Sequence, residues 1–239
     1  MKFIVFLLTV WSVYANGLTD IVKTGDLKAV SRAVTSKKYN INEQDSDGLS
    51  GVIISAMVGD SAMLELLISH GADVNLSAKQ GMTALHAAVF HGNESIVKML
   101  IAAGADVNMA DDQGRTALHV AAEKGLSNPI DDLIRSGANI KVWDYRGQSP
   151  IFVAIGNRQL NTLNELLENG ADPEQTDLMG RTPLMLVAFL GEYEMISLLL
   201  RFHANVHAVD YAFHTALWYA KQRNHKSSIQ VLRKAGALF

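Results

Sequence analysis

The sequence predicts an all-α fold, a solenoid of stacked helix–turn–helix units, on three observations. Gly48, Gly81, Gly114, Gly147 and Gly180 recur every 33 residues. A second ladder, Gly71, Gly104, Gly137, Gly170 and Gly236, runs beside them, and His203 stands in its one skipped rung. Between the ladders apolar residues return at helical spacing, as in Leu85, Ala88 and Val89, then Ile96, Val97, Leu100 and Ile101. Self-similarity at a fixed period of this size is the signature of units that stack on one another. Such a chain has no central enzyme core and offers one long surface to a partner.

Each element follows from its residues. Thr83-Ala84-Leu85-His86 and Thr116-Ala117-Leu118-His119 follow the first ladder, as do Thr182-Pro183-Leu184-Met185 and Thr215-Ala216-Leu217-Trp218. The threonine hydroxyl caps the first helix of the unit. Ala87, Ala88, Ala121 and Ala122 are small enough for close helix approach. The glycines of the second ladder end the second helix, where a left-handed backbone is needed. Polar stretches such as Ala110-Asp111-Asp112-Gln113-Gly114 then read as projecting turns. Each helix is short and one-faced, so it needs neighbours to be stable.

These motifs resemble the ankyrin repeat, and the resemblance covers nearly all the chain after the first fifteen or so residues. It implies projecting β-hairpin turns between the helix pairs. It also implies a protein partner, bound through the turns and the inner face of the first helices. About seven helix pairs and six turns are expected, the turns at Asp45, Ala78, Asp111, Asp144, Asp177 and Asp210. Residues 16–44 read as an N-terminal capping repeat, 45–212 as 33-residue repeats and 210–239 as a C-terminal cap, in which Phe213 replaces the turn glycine. Terminal units are atypical because one of their faces meets water.

Residues 1–15 read as a cleavable signal peptide. Lys2 is followed by the apolar run Phe3 to Val13, and Val13-Tyr14-Ala15 fits a cleavage site before Asn16. The run is shorter than the about 20 apolar residues that span a bilayer. The chain carries a formal charge of −3 and no cysteine. Loss of Lys2 with the leader makes the mature chain one charge more acidic. An acidic chain is a poor nucleic-acid binder, and membrane contact is not expected after cleavage. Absence of disulfides is unusual for a small secreted domain, but a solenoid this long buries a continuous core. With ankyrin-like units, the leader implies a bacterial exported protein, periplasmic or secreted and monomeric alone. Asn75 and Asn93 head glycosylation motifs, yet Asn75 occupies a turn position with a structural use.

Catalytic constellations are missing from the sequence. Gly48-Leu49-Ser50-Gly51 has the wrong spacing for a nucleophile elbow, and no phosphate-cradling loop occurs. His86 and His119 fill one structural slot; His203 and His207 straddle a turn with no third ligand in view. No enzyme activity, metal or cofactor is expected.

Candidate protein-binding residues therefore come from register. Phe90 and Arg115 belong to the earlier, more polar turns and helices. Trp143, Tyr145, Arg146 and Gln148 fall on the fourth turn. Leu178, Met179 and Arg181 fall on the fifth, with Phe189 and Leu190 ending the helix after it. Tyr211 and His214 fall on the sixth. Trp, Tyr, Arg, Met and Phe are enriched at interface hot spots. Phe152 and Trp218, in the histidine slot, are expected to pack inside. The function read from this is a non-catalytic module that docks a periplasmic enzyme, as inhibitor, immunity protein or accessory factor. A cell-wall hydrolase and a haem enzyme such as a catalase are both compatible. The alternatives are a secreted effector that binds a host protein and, as a third class, an enzyme with a polar cluster in its groove.

Overall fold

The structure, a computed structural model, describes residues 17–238. The expected leader over 1–15 lies outside the described residues. Among the described residues seven helix pairs follow one another. They are α1 Leu18–Lys23 and α2 Leu27–Thr35, α3 Gly51–Val58 and α4 Ser61–Ser69, α5 Ala84–Phe90 and α6 Glu94–Ala102, and α7 Ala117–Lys124 and α8 Ser127–Arg135. Then come α9 Pro150–Gly156 and α10 Leu160–Glu168, α11 Pro183–Leu190 and α12 Tyr193–Arg201, and α13 Ala216–Gln222 and α14 Lys226–Lys234. The chain forms two compact units, divided between Asp112 and Gln113. Among the described residues no helix is long and apolar enough to cross a membrane.

Within each unit, first helices pack on first helices and second helices on second. In the N-terminal unit α3 lies between α1 and α5, and α4 between α2 and α6. In the C-terminal unit α9 lies between α7 and α11, and α10 between α8 and α12. The core is as periodic as the sequence. Leu67, Leu100, Leu133, Leu166, Leu199 and Leu232 stand 33 residues apart on the second helices, and each is fully buried. On the first helices Ala88, Ala121, Ala154 and Ala220 are also fully buried, where a larger side chain would hold the helices apart.

Capping proceeds as the threonines require. Thr83 and Thr116 form capping boxes in which the histidine three residues on returns the hydrogen bond. His119 Nδ1 accepts from the Thr116 backbone N–H at 3.1 Å. That contact puts the ring proton on Nε2, which donates to the Gln148 carbonyl at 3.1 Å. The histidine slot thus ties one repeat to the next turn. Asn75 does the same in the N-terminal unit. Its amide oxygen accepts from Asp106 N at 2.8 Å and its nitrogen donates to Gly104 O at 3.1 Å.

The projecting turns are tight Asx turns. At Asp144, Asp177 and Asp210, carboxylate Oδ1 accepts from the N–H groups two and four residues on, at 2.8–2.9 Å. The expected hairpins are correspondingly reduced. Among the described residues only two antiparallel bridges form, Gln44 with Ser50 and Ser77 with Thr83. The aspartate takes N–H groups that a longer strand ladder would use, and the stem ends after one backbone pair.

Successive turns are joined by their backbones. Lys79 N donates to Asp47 O and Asp112 N to Gln80 O in the N-terminal unit. Tyr145 N donates to Gln113 O and Tyr211 N to Met179 O in the C-terminal unit. The turn glycine makes this approach possible. At Gly81 an added Cβ would lie 2.8 Å from Asp111 Cα. His203 fills its glycine slot with φ 64°, and Phe213 with φ 62°. A left-handed non-glycine residue costs about 1–2 kcal/mol.

His203→Gly should therefore raise unfolding stability, by up to about 1 kcal/mol after the added chain entropy of glycine, read from the urea midpoint. Gly114→Val should lower it by about 2 kcal/mol or more, because φ is +76° and the Cβ would meet the Tyr145 ring at 2.7 Å.

Candidate protein-binding surface

The sixth turn is held by a buried carboxylate. Asp210 receives two backbone N–H groups and, on Oδ2, the Tyr219 hydroxyl at 2.6 Å. Burial alone would raise the Asp210 pKa. The Tyr219 hydroxyl, the N–H groups of His214 and Ala212 and the nearby His214 outweigh it, and the carboxyl is held below its ordinary value. Tyr219 moves the other way. Burial, then its bond to Asp210 and that residue's negative charge, push the phenol up to about 12.

Around this pair sits an aromatic cluster. His214 stacks on Trp218 with centroids 3.6 Å apart. Trp218 and Phe189 each meet Tyr219 edge to face, at 5.0 and 6.2 Å. The Arg223 guanidinium lies over Phe189, 4.2 Å from the centroid. A cation above a ring face is attracted by the ring quadrupole. Phe189 is half-buried beneath these groups, and Leu190, the last residue of α11, is half-buried too. Trp218 departs from the sequence expectation. It is only partly buried, because no further first helix packs over α13 in the described residues. Phe152 is buried as expected.

The fourth and fifth turns enclose a cleft of about 210 Å³. Phe152, Leu178, Met179 and Leu186 supply apolar walls; Arg146, Gln148, Asp177 and Arg181 supply polar ones. Arg181 is bound to Asp177 at 2.7 Å. Arg146 reaches the Gln113 amide oxygen, at 3.4 Å. Trp143 stacks on Phe152 at 6.2 Å and keeps a partly exposed face. Thus Arg146, Gln148, Leu178, Met179 and Arg181 border one hollow, and Trp143 stacks on its wall residue Phe152. Arg181 and Asp177 also act electrostatically on Tyr219, which links the hollow to the aromatic cluster.

Three apolar turn tips remain in water. Tyr145 is 80% exposed, Leu178 76% and Tyr211 77%. Each rests one side on the glycine of the preceding turn, Gly114, Gly147 and Gly180 respectively. The remaining two predicted residues stand differently. Arg115 is half-exposed and pairs with Glu123 at 3.3 Å. Phe90 belongs to the N-terminal unit, at the end of α5, where it packs edge-on against His91.

Tyr219, Asp210 and Arg223 were missed in the sequence. Register holds a signal for the first. Its equivalents are Ile54, Ala87, Val120, Val153 and Leu186, so a phenol stands in an apolar series. Asp210 was legible as a turn residue but not as a buried acceptor. Arg223 gives no signal, since its ring partner Phe189 lies one repeat earlier.

Successive helix pairs with tight, joined turns define a repeat-built protein. The family model for ankyrin repeats in three copies matches residues 18–111, 103–177 and 151–238, and the chain belongs to the ankyrin-repeat family. Ankyrin repeats are in general protein-interaction modules and typically non-catalytic. The chain is 44% identical over 62 residues to M-phase phosphoprotein 8 of Rattus norvegicus and 42% identical over 62 residues to that of Homo sapiens. Each match covers 26% of this chain and only 7% of the relative. A crystal structure of the ankyrin repeat domain of Bcl-3, a member of the IκB protein family, superposes with a TM-score of 0.76 at 29% identity. That match covers 81% of this chain and 89% of the other.

Linkage predicts a pH window for the Tyr219–Asp210 bond. A phenol whose folded pKa is raised stabilises the fold fully below the ordinary value of 10 and loses that contribution by about 12. A lowered carboxyl stabilises above the ordinary 3.8 and loses its contribution as pH falls through its lower folded value. Stability should therefore drop across pH 10–12, and Tyr219→Phe should flatten that alkaline drop. Urea unfolding at a series of pH values, with tyrosinate absorbance followed in parallel, checks both.

Proposed function

We propose that this chain is a non-catalytic module that docks a folded partner protein through the turns and first helices of its C-terminal unit. The observation that carries this reading is the row of exposed tips Tyr145, Leu178 and Tyr211, with the partly open Trp143 stacked on Phe152, a wall residue of the cleft. Apolar surface of this kind costs solubility, and a contiguous patch on a soluble chain marks an interaction site. Its tyrosines and tryptophan are types that dominate binding energy when a partner covers them. Each tip is seated on a glycine, so little side-chain freedom remains to be lost on binding.

The partner in this reading is an enzyme of the compartment to which the leader directs the chain, a bacterial periplasm. Support for the compartment is in the sequence alone: Lys2, the apolar run Phe3 to Val13, the small residue Ala15 before Asn16, and the lack of cysteine. The mode of action is steric. A preformed surface covers the partner's cleft or holds its fold, as an inhibitor, a self-protection factor or an accessory factor.

The test is capture of partners by the tagged chain, expressed in its source cell and isolated from the periplasmic fraction. A mature N-terminus at Asn16 and one stoichiometric enzyme are expected. Trp143→Ala with Tyr211→Ala should lose that enzyme while helicity and melting stay near wild type, since Tyr211 is on the surface and Trp143 partly so. Unchanged capture by the double variant would refute the surface. A partner found only in extract of a host would shift the reading to a secreted effector.

A further inference from the structure

The charge on the chain is unevenly placed. After Asp210 it carries Lys221, Arg223, Lys226, Arg233 and Lys234 and no acidic residue. All five are exposed. This basic end adjoins the surface described above, on a chain whose net charge is −3.

Two arginines on that surface are poised differently from their neighbours. Arg115, Arg158 and Arg181 each hold a carboxylate, of Glu123, Glu192 and Asp177. Arg223 holds a ring face, and Arg146 a neutral amide at 3.4 Å. Neither reaches a carboxylate among the described residues. A planar guanidinium held in place but without its anion is ready for bidentate binding. Arg146 itself lines the cleft, whose walls are both apolar and polar. Leu186 forms part of its wall, and Phe189, which carries Arg223, is three residues further on the same face of α11. At 210 Å³ the cleft is smaller than the about 300–1,000 Å³ typical of small-molecule pockets. It suits one side chain of a partner.

We infer that the partner docks by a segment in which one apolar side chain is flanked by carboxylates. The apolar group enters the cleft against Phe152 and Leu186. Carboxylates on either side of it meet Arg146 and Arg223, and Lys221 and Lys226 draw the segment in over the last repeat. This rests on the protein-binding reading and adds the chemistry of the partner.

The test uses the full chain and defined probes, followed by the indole signals of Trp143 and Trp218 in nuclear magnetic resonance. The main probe is a short peptide with a central leucine between Glu-Asp pairs. Saturable shifts are expected, with affinity falling about tenfold or more in Arg146→Gln/Arg223→Gln, the scale of lost charge-assisted bonds. Both residues are exposed, and circular dichroism should show the variant folded. Replacing the leucine by serine should weaken binding, and raising salt should weaken it further. The inference is overturned if millimolar peptide produces no shift, if the charge variant binds the peptide equally, or if an oligonucleotide or an anionic vesicle of matched charge binds as well. The two readings fail separately. A partner protein still captured by Arg146→Gln/Arg223→Gln, but lost in Trp143→Ala/Tyr211→Ala, sinks the acidic-segment inference and leaves protein docking standing.

Discussion

Everything periodic in this protein depends on how closely one turn can lie against the next. The N–H of a turn tip donates to a carbonyl 32 residues earlier, at Lys79, Asp112, Tyr145 and Tyr211. That bond brings the later tip onto the earlier turn glycine, where the space for a Cβ is already occupied. The 33-residue period of Gly48, Gly81, Gly114, Gly147 and Gly180 is this contact repeated. The helices beneath are held to the same spacing, and within each unit the 33-residue leucines are buried, Leu67 and Leu100 in one and Leu133, Leu166, Leu199 and Leu232 in the other.

The exception fits the rule. Phe213 occupies the glycine slot of the sixth turn and is 84% exposed. No later turn rests on it in the described residues, so the steric demand for glycine has gone while the left-handed backbone remains. Charge fastens the first described helix pair. Lys23 binds Asp45 at 2.6 Å and ties that pair to the first turn. Glu43 accepts the N–H of Leu18 and holds the start of α1.

Local rules and repetition made the fold legible in the sequence. Thr83 and Thr116 cap as their position requires, and the second-ladder glycines are left-handed. The surface was legible only in part. Turn tips such as Tyr145 and Tyr211 follow from register, because what projects in one repeat projects in all. The Tyr219–Asp210 bond and the seat of Arg223 on Phe189 did not follow. Both depend on side chains meeting across different elements, which period alone does not specify. Trp218 was misplaced for a related reason. Register assigns it the environment of His86 and His119, but among the described residues no further first helix packs over α13 to bury it.

One consequence concerns how the chain reaches its native state. The side-chain hydrogen bonds that join one repeat to the next bridge between 22 and 37 residues. Among the described residues no bond of this kind waits for a distant part of the chain to arrive. A chain built so can order itself progressively, each helix pair using the one already formed as its template. It can do so in whichever direction it emerges, and it needs no oxidant to lock the result, since it contains no cysteine.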